Sequence, residues 1–117
     1  TRASARDRVV VSSFDPRVLV ALRALAPGVP RGALLAPEPG HDTLMRSLWA
    51  RVAPRAVHPC GAVTRDEEVA RFRALGYAVN AWTVDDEDDA RRLVRAGVSA
   101  LITNDPGRIR EAIRSEM

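Results

Sequence analysis

The stretch YAVNAWTVDDEDDARRLVRAGVSALIT, Tyr77 to Thr103, decides the fold class. Its opening, YAVNAWTV (77–84), alternates as a β-strand does. That alternation puts Asn80, Trp82 and Val84 on one face and Ala81 and Thr83 on the other. DDARRLVRAG (88–97) then reads as a helix, stopped by Gly97. VSALIT (98–103) is apolar or small almost throughout, as a strand buried on both faces should be. Strand, helix and strand in this order form a βαβ unit with parallel strands and a right-handed crossover. Five consecutive acids, Asp85 to Asp89, lie where the first strand gives way to the helix. They invite a metal reading. A helix start explains them better, because negative charge suits the N-terminal end of a helix dipole. Asp88 and Asp89 also stand at helical spacing from Arg91 and Arg92.

Outward from this segment the same alternation recurs. RVVVSS (8–13) is a strand, and Asp15-Pro16 opens a helix, with Asp as N-cap and Pro at the first helical position. Val18, Leu19, Leu22 and Leu25 repeat at helical spacing until Pro27-Gly28. GALLA (32–36) is a strand and PEPG (37–40) a loop. DTLMRSLWARVA (42–53) forms one helix, with Leu44, Met45, Leu48, Trp49 and Val52 on its apolar face. RAVHP (55–59) is briefly extended. Thr64 and Glu67 have capping-box spacing ahead of a helix that Gly76 closes. Pro106 opens the last helix. The chain is thus α/β, five successive βα units in one domain over residues 1–117. Periodicity alone leaves two architectures open, a doubly wound sheet and a segment of a (β/α) barrel.

Composition narrows the function. Of the 117 residues, 46% are hydrophobic and 28% charged, enough for a packed core with an ordinary soluble surface. No apolar run approaches the roughly 20 residues that span a bilayer, and no signal-peptide pattern opens the chain. The chain starts at Thr1 and not at Met, so it reads as processed, trimmed or cut from a longer polypeptide. The pI is ≈ 10.3 and all 18 basic residues are arginine. These arginines are dispersed, mostly near acids, and aromatic residues make up only 4%. A nucleic-acid surface would cluster its cations and supply stacking platforms, so nucleic acid is not an expected partner. Cys60 is the sole cysteine, which excludes an intrachain disulfide and fits a reducing cytoplasm. It reads as a small half-buried residue, although His58 stands two positions away on the same strand side.

Three motifs in order carry a resemblance: SSF at Ser12 to Phe14, V-x-x-WTV ending at Val84, and G-V-x-x-L-I-T-N-x-P from Gly97. Together with AVHP (56–59) they resemble the C-terminal half of a bacterial glycerophosphodiester phosphodiesterase over nearly the whole chain. The resemblance implies a TIM (β/α)8 barrel of the phospholipase-C-like phosphodiesterase type. It implies hydrolysis of glycerophosphodiesters to glycerol 3-phosphate and an alcohol, with a divalent cation (Mg or Ca) and two histidines as acid and base. The family's His-Arg-Gly, Glu-x-Asp, second histidine and Glu-x-Lys motifs belong to its first half. His-Arg and Glu-x-Lys are absent here, and Glu-x-Asp recurs only within the acidic run. The expectation is therefore that the N-terminal catalytic half lies outside this chain, which holds neither catalytic residues nor metal ligands and is inactive alone.

In a barrel, chemistry sits at the C-terminal ends of the strands. Those positions here are Ser13, Phe14, Leu35, His58, Trp82, Thr83, Thr103 and Asn104. By resemblance Trp82 forms part of the pocket wall near glycerol or phosphate, and Ser13 and Phe14 join it as substrate-binding residues. The plainer alternatives are a core indole for Trp82, a turn-satisfied hydroxyl for Ser13 and a hydrophobic plug for Phe14. Trp49 reads as packing, His58 as a hydrogen-bonded rim residue and His41 as solvated. Asn104 or Asp105 should cap the last helix. The competing functional class is a non-catalytic half-barrel that associates with itself or with an N-terminal half through its open sheet edges. A small receiver-like domain would want separated aspartates at its strand ends, where this chain has Ser, His, Thr and Asn.

Overall fold

The computed structural model describes residues 10–36 and 42–116. The PEPG loop and His41 lie outside the described residues. Five strands alternate with helices, and the described pairings are parallel. The fold is therefore α/β, built from successive βα units. Its residues fall into two units, 1–57 and 58–117.

In the first unit, β1 (Val11–Ser13) pairs in parallel with β2 (Arg31–Leu34), Ser12 opposite Gly32. Between them runs α1 (Pro16–Leu25). Its start is built as the sequence predicts: Pro16 takes the first position and the Asp15 carboxylate accepts from the Arg17 N–H at 2.9 Å. The predicted helix 42–53 is two short pieces, α2 (Thr43–Ser47) and α3 (Trp49–Val52). The break falls at Leu48, just after Ser47 turns its hydroxyl back onto the Leu44 carbonyl at 2.8 Å. Such back-bonding competes with the helical ladder. Leu19, Ala33, Met45 and Val52 form the buried core, with Leu48 and Trp49 packed against it. Trp49 is packing, as its place on the apolar face implied.

A buried arginine closes this unit. Arg31 is only 9% exposed, and its guanidinium donates to the carbonyls of Val52 (2.8 Å) and Ala53 (3.0 Å) at the end of α3. It also reaches the Val29 carbonyl at 3.3 Å. Arg23 donates to the carbonyls of Ala50 and Arg51. Two guanidiniums thus satisfy the carbonyls that a helix C-terminus leaves without partners. Ala53, at φ 45°, ends α3 in the left-handed region.

The second unit begins at the end of β3 (Ala56–His58) and contains α4 (Asp66–Ala74), β4 (Ala78–Ala81), α5 (Glu87–Ala96), β5 (Ala100–Leu101) and α6 (Pro106–Ile113). β4 and β5 pair in parallel, Ala81 opposite Leu101, and Cys60 bridges to Trp82 in the same sense. The core is Val69, Val79, Ala81, Val84, Ala90, Leu93 and Ile109. Val84 therefore lies with Val79 and Ala81 in the helix-covered core, and not on the face of Asn80 and Trp82 as strict alternation predicts. Regular extension stops at Ala81, and the face parity is lost in the three residues that follow.

The predicted capping box at α4 is not formed; only its second half occurs, one residue later. Glu68 accepts the Arg65 N–H at 3.2 Å, while the Thr64 hydroxyl donates to the Cys60 carbonyl at 2.7 Å. Asp86 caps α5 through the Asp89 N–H, and Gly97 ends it at φ 103°, which a residue with a Cβ rarely adopts. Asp105 caps α6 through the Arg108 N–H. The helix-capping role assigned to Asn104 or Asp105 belongs to Asp105.

Candidate functional site

Within the second unit the ends of neighbouring strand segments bring two predicted rim residues, His58 and Trp82, into direct hydrogen-bond contact. Trp82 is held on several sides. Its backbone N–H donates to the Pro59 carbonyl at 3.0 Å and its carbonyl accepts from Gly61 at 2.6 Å. Its indole N–H donates to the His58 carbonyl at 2.7 Å. The residue is half-buried, and the polar edge of its ring is engaged.

His58 is 6% exposed and lies 3.0 Å from the Asn80 amide through Nε2. Burial holds its pKa below the ordinary histidine value, which favours the neutral ring. With Asn80 donating, Nε2 accepts and the ring proton sits on Nδ1. Asn80 lies on the strand face opposite the buried Val79 and Ala81. Cys60 is half-buried, and its carbonyl serves the Thr64 turn.

The second cluster joins the loops after β4 and β5. Asp85 accepts from the Thr103 hydroxyl (2.8 Å), the Asn104 N–H (2.9 Å) and the Asn104 amide (2.8 Å). Those donors hold its carboxyl below the usual carboxylate range, the Asn104 N–H most of all. Thr103 Oγ1 in turn accepts the Asp105 N–H at 3.2 Å. Arg108 closes the ring, donating to the Asp85 backbone carbonyl and reaching Glu87 at 3.1 Å. The acidic run therefore divides its labour. Asp85 ties two loops, Asp86 caps, and Asp88 and Asp89 pair with Arg91 and Arg92 at 2.8 and 3.7 Å. Sequence reasoning saw the last two roles and missed the first. The signal available was Asp85 itself, too early to serve the helix and one strand away from the donors Thr103 and Asn104.

In the first unit, Ser13 and Phe14 occupy the end of β1. The Ser13 hydroxyl accepts from the Asp15 N–H at 3.0 Å, the turn-satisfied arrangement. Phe14 is 41% exposed and lines a groove with Asp15, Pro16, Arg17 and Leu44. Leu35 is half-buried against the core of this unit.

Among the described residues, no group of three or more His, Cys, Asp and Glu side chains converges to hold a metal ion. Asp85, the carboxylate between the two loops, already directs both oxygens at N–H and O–H donors. The donor set present does not fit a divalent cation. No described helix is long and apolar enough to cross a membrane.

This arrangement, parallel βα units with hydrogen-bonded strand-end loops, defines a class to which known proteins can be matched. The chain matches the glycerophosphoryl diester phosphodiesterase family over residues 1–108, and it belongs to that family. It is 31% identical over 111 residues to a glycerophosphodiester phosphodiesterase of Caldanaerobacter subterraneus subsp. tengcongensis, covering 92% of this chain and 43% of that protein. It is 33% identical over 109 residues to glycerophosphodiester phosphodiesterase GDPD4 of Arabidopsis thaliana, covering 90% of this chain and 31% of the relative. Among solved structures it resembles an Oleispira antarctica phosphodiesterase in complex with the product sn-glycerol-3-phosphate. That match has TM-score 0.75 and 28% identity, over 90% of this chain and 41% of that one. The chain thus spans less than half the length of these relatives. Its fold is that of part of the phosphodiesterase barrel.

Proposed function

We propose that this chain is the C-terminal portion of a metal-dependent phosphodiesterase that hydrolyses glycerophosphodiesters to glycerol 3-phosphate and an alcohol. The family match over residues 1–108, combined with coverage of under half of each relative, carries the reading. Cleaving a phosphodiester requires neutralisation of the phosphoryl oxygens and proton transfer to the leaving group. The described strand ends offer hydroxyls, amides, an indole and a buried neutral histidine, which suit binding and not that chemistry. The cation, Mg or Ca, and the acid–base pair therefore belong to the remainder of the barrel. This chain supplies scaffold and pocket wall, with Trp82, Ser13 and Phe14 contacting substrate, and it is inactive alone in the cytoplasm.

Its partner is the N-terminal half-barrel. An apolar cleft of ≈ 440 Å³ beside β5, lined in part by Val98, Leu101, Pro106, Ile109 and Ile113, supports a covered surface there. A second copy of the chain is the competing occupant, in a non-catalytic assembly module.

Two preparations test the reading, the isolated chain and the full-length polypeptide. Each is assayed on a glycerophosphodiester with Mg or Ca and again after chelation. Turnover is expected from the full-length protein with metal, and none from the isolated chain. Turnover by the isolated chain would show that catalytic groups had been misassigned. A metal-loaded full-length protein that cleaves no glycerophosphodiester would refute the activity. Stable self-association of that inactive protein would favour the assembly module.

A further inference from the structure

Two loops leave the C-terminal ends of β4 and β5, and one carboxylate joins them side chain to turn. The chain passes from Trp82 through exposed Thr83 to buried Val84, whose N–H donates to the Ile102 carbonyl at 2.8 Å. The next residue, Asp85, then takes three hydrogen bonds from Thr103 and Asn104. Trp82 is anchored before this point by Pro59, Gly61 and His58. The Asp85 contacts anchor the same segment after it. Arg108 adds a tie of its own from α6, to the Asp85 backbone carbonyl and to Glu87, while among the described residues the Asp85 carboxylate is the group that holds Thr103 and Asn104 directly.

We propose that Asp85 is a positioning residue: it holds the Thr103–Asn104 turn against the segment carrying Trp82 and so sets the opening that admits an anionic glycerophosphodiester. The inference rests on the functional reading above. It assigns Asp85 no contact with substrate and no proton transfer. The Arg108 guanidinium beside Asp85 offsets its negative charge, which lets the carboxylate stand near a site for an anion. Displacing a wall by about an ångström costs binding and orientation, up to roughly a hundredfold in kcat/KM.

The geometry supplies a specific test. In the full-length protein, Asp85→Ala removes both acceptor oxygens and with them all three hydrogen bonds. Asn104→Asp sets two carboxylates face to face with nothing between them. Asp85→Asn alone is mild, because the Asn104 amide turns over and offers its oxygen. The double variant Asp85→Asn with Asn104→Asp reverses donor and acceptor, yet keeps an oxygen at position 85 for Thr103 and the backbone N–H. Asp85→Ala and Asn104→Asp should each raise KM for a glycerophosphodiester about tenfold, with kcat changed less, since the reacting groups are untouched. The double variant should return KM to within about threefold of wild type. A general loss of folding would lower the active fraction, and hence apparent kcat, without raising KM. Wild-type turnover with KM unchanged in both single variants overturns the inference alone. Rescue failing in a double variant that melts like wild type also overturns it. A wild-type protein without turnover overturns the functional reading first, and the inference with it.

Discussion

The two units of the chain satisfy their arginines in different proportions. Over residues 10–36 and 42–57 there are six arginines, Arg17, Arg23, Arg31, Arg46, Arg51 and Arg55, against two acids, Asp15 and Asp42. The ion pair Asp15–Arg17, at 2.9 Å, is local to one helix start. Arg23 and Arg31 spend their N–H groups on backbone carbonyls instead. The second unit is acid-rich and, beside carbonyl contacts of Arg91, Arg92 and Arg108, joins its helices through carboxylates: Arg92 to Asp66, Arg95 to Glu116 and Arg108 to Glu87. The difference follows from what each unit leaves unsatisfied. The short α3 exposes carbonyls that need donors, so a guanidinium fork suits it. Three full helices with capped N-termini expose side chains at each other's flanks, where opposite charges meet. Between its elements the first unit is thus clamped by arginine–carbonyl bonds, which do not titrate, whereas the second adds ion pairs that do.

The sharpest way to break this comparison is Arg31. Arg31→Met keeps an apolar stem and strands the Val52, Ala53 and Val29 carbonyls. Loss of about 3 kcal/mol is expected, because buried acceptors without partners lose their solvation outright. Arg31→Lys keeps the charge without the fork and should recover less than half of that loss. Denaturant unfolding of both variants checks it. Full recovery by lysine would mean that charge, and not the planar fork, holds the first unit.

A second change sharpens the account of the other unit, whose core is tight at one point. A Cβ at Gly61 would lie 2.7 Å from Val84 Cγ2 and 3.2 Å from Leu93 Cδ1. Gly61→Ala should cost about 2 kcal/mol through overpacking. Val84→Ala opens the space, so the double variant should be more stable than the sum of the single losses predicts. Strict additivity would show that the backbone yields instead, and that the core there is looser than its burial implies.

What the sequence reveals and hides divides along the same physical line. Local chemistry was legible: Asp15-Pro16 as a helix start, Gly97 as a stop, Trp49 on an apolar face, and the βα alternation with its family motifs. Each depends on neighbours within a few residues. Contacts across tens of residues were not. Thr64 has the letters of a capping box, but its hydroxyl finds the Cys60 carbonyl, and only the reach of Glu68 back to the Arg65 N–H remains of the box. Val84 fits the alternation of β4 on paper, but the regular strand ends at Ala81 and the core claims Val84. Asp85 looks like one acid of five until β5 places Thr103 and Asn104 beside it. At the site, strand-end position picked out Trp82 and His58, while the network that fixes their surroundings required the fold.

The smallest effect is also the one that separates the units most cleanly. Burial depresses the His58 pKa below its ordinary 6.5. On acidification the unfolded chain takes up that proton first, so stability begins to fall below about pH 6.5 and continues to fall until the folded ring protonates. Asp85 and Glu116 are held below the usual carboxylate range, by Asn104 and Arg95 respectively. Their contribution is present above the unfolded values near 4 and is lost as pH drops through the depressed folded values. In the first unit Asp15 behaves likewise, through Arg17, but Arg31 stays charged throughout. Between pH 7 and about 5, then, only the second unit should lose stability, and His58 is the group responsible. Amide exchange, corrected for intrinsic rates, should show protection falling around β4 and β5 and holding around β1 and β2. His58→Gln should flatten that dependence, because glutamine can face Asn80 without titrating. Equal losses in both units over this range would mean that the carbonyl clamp does not insulate the first unit from acid, and the contrast between the two would fall.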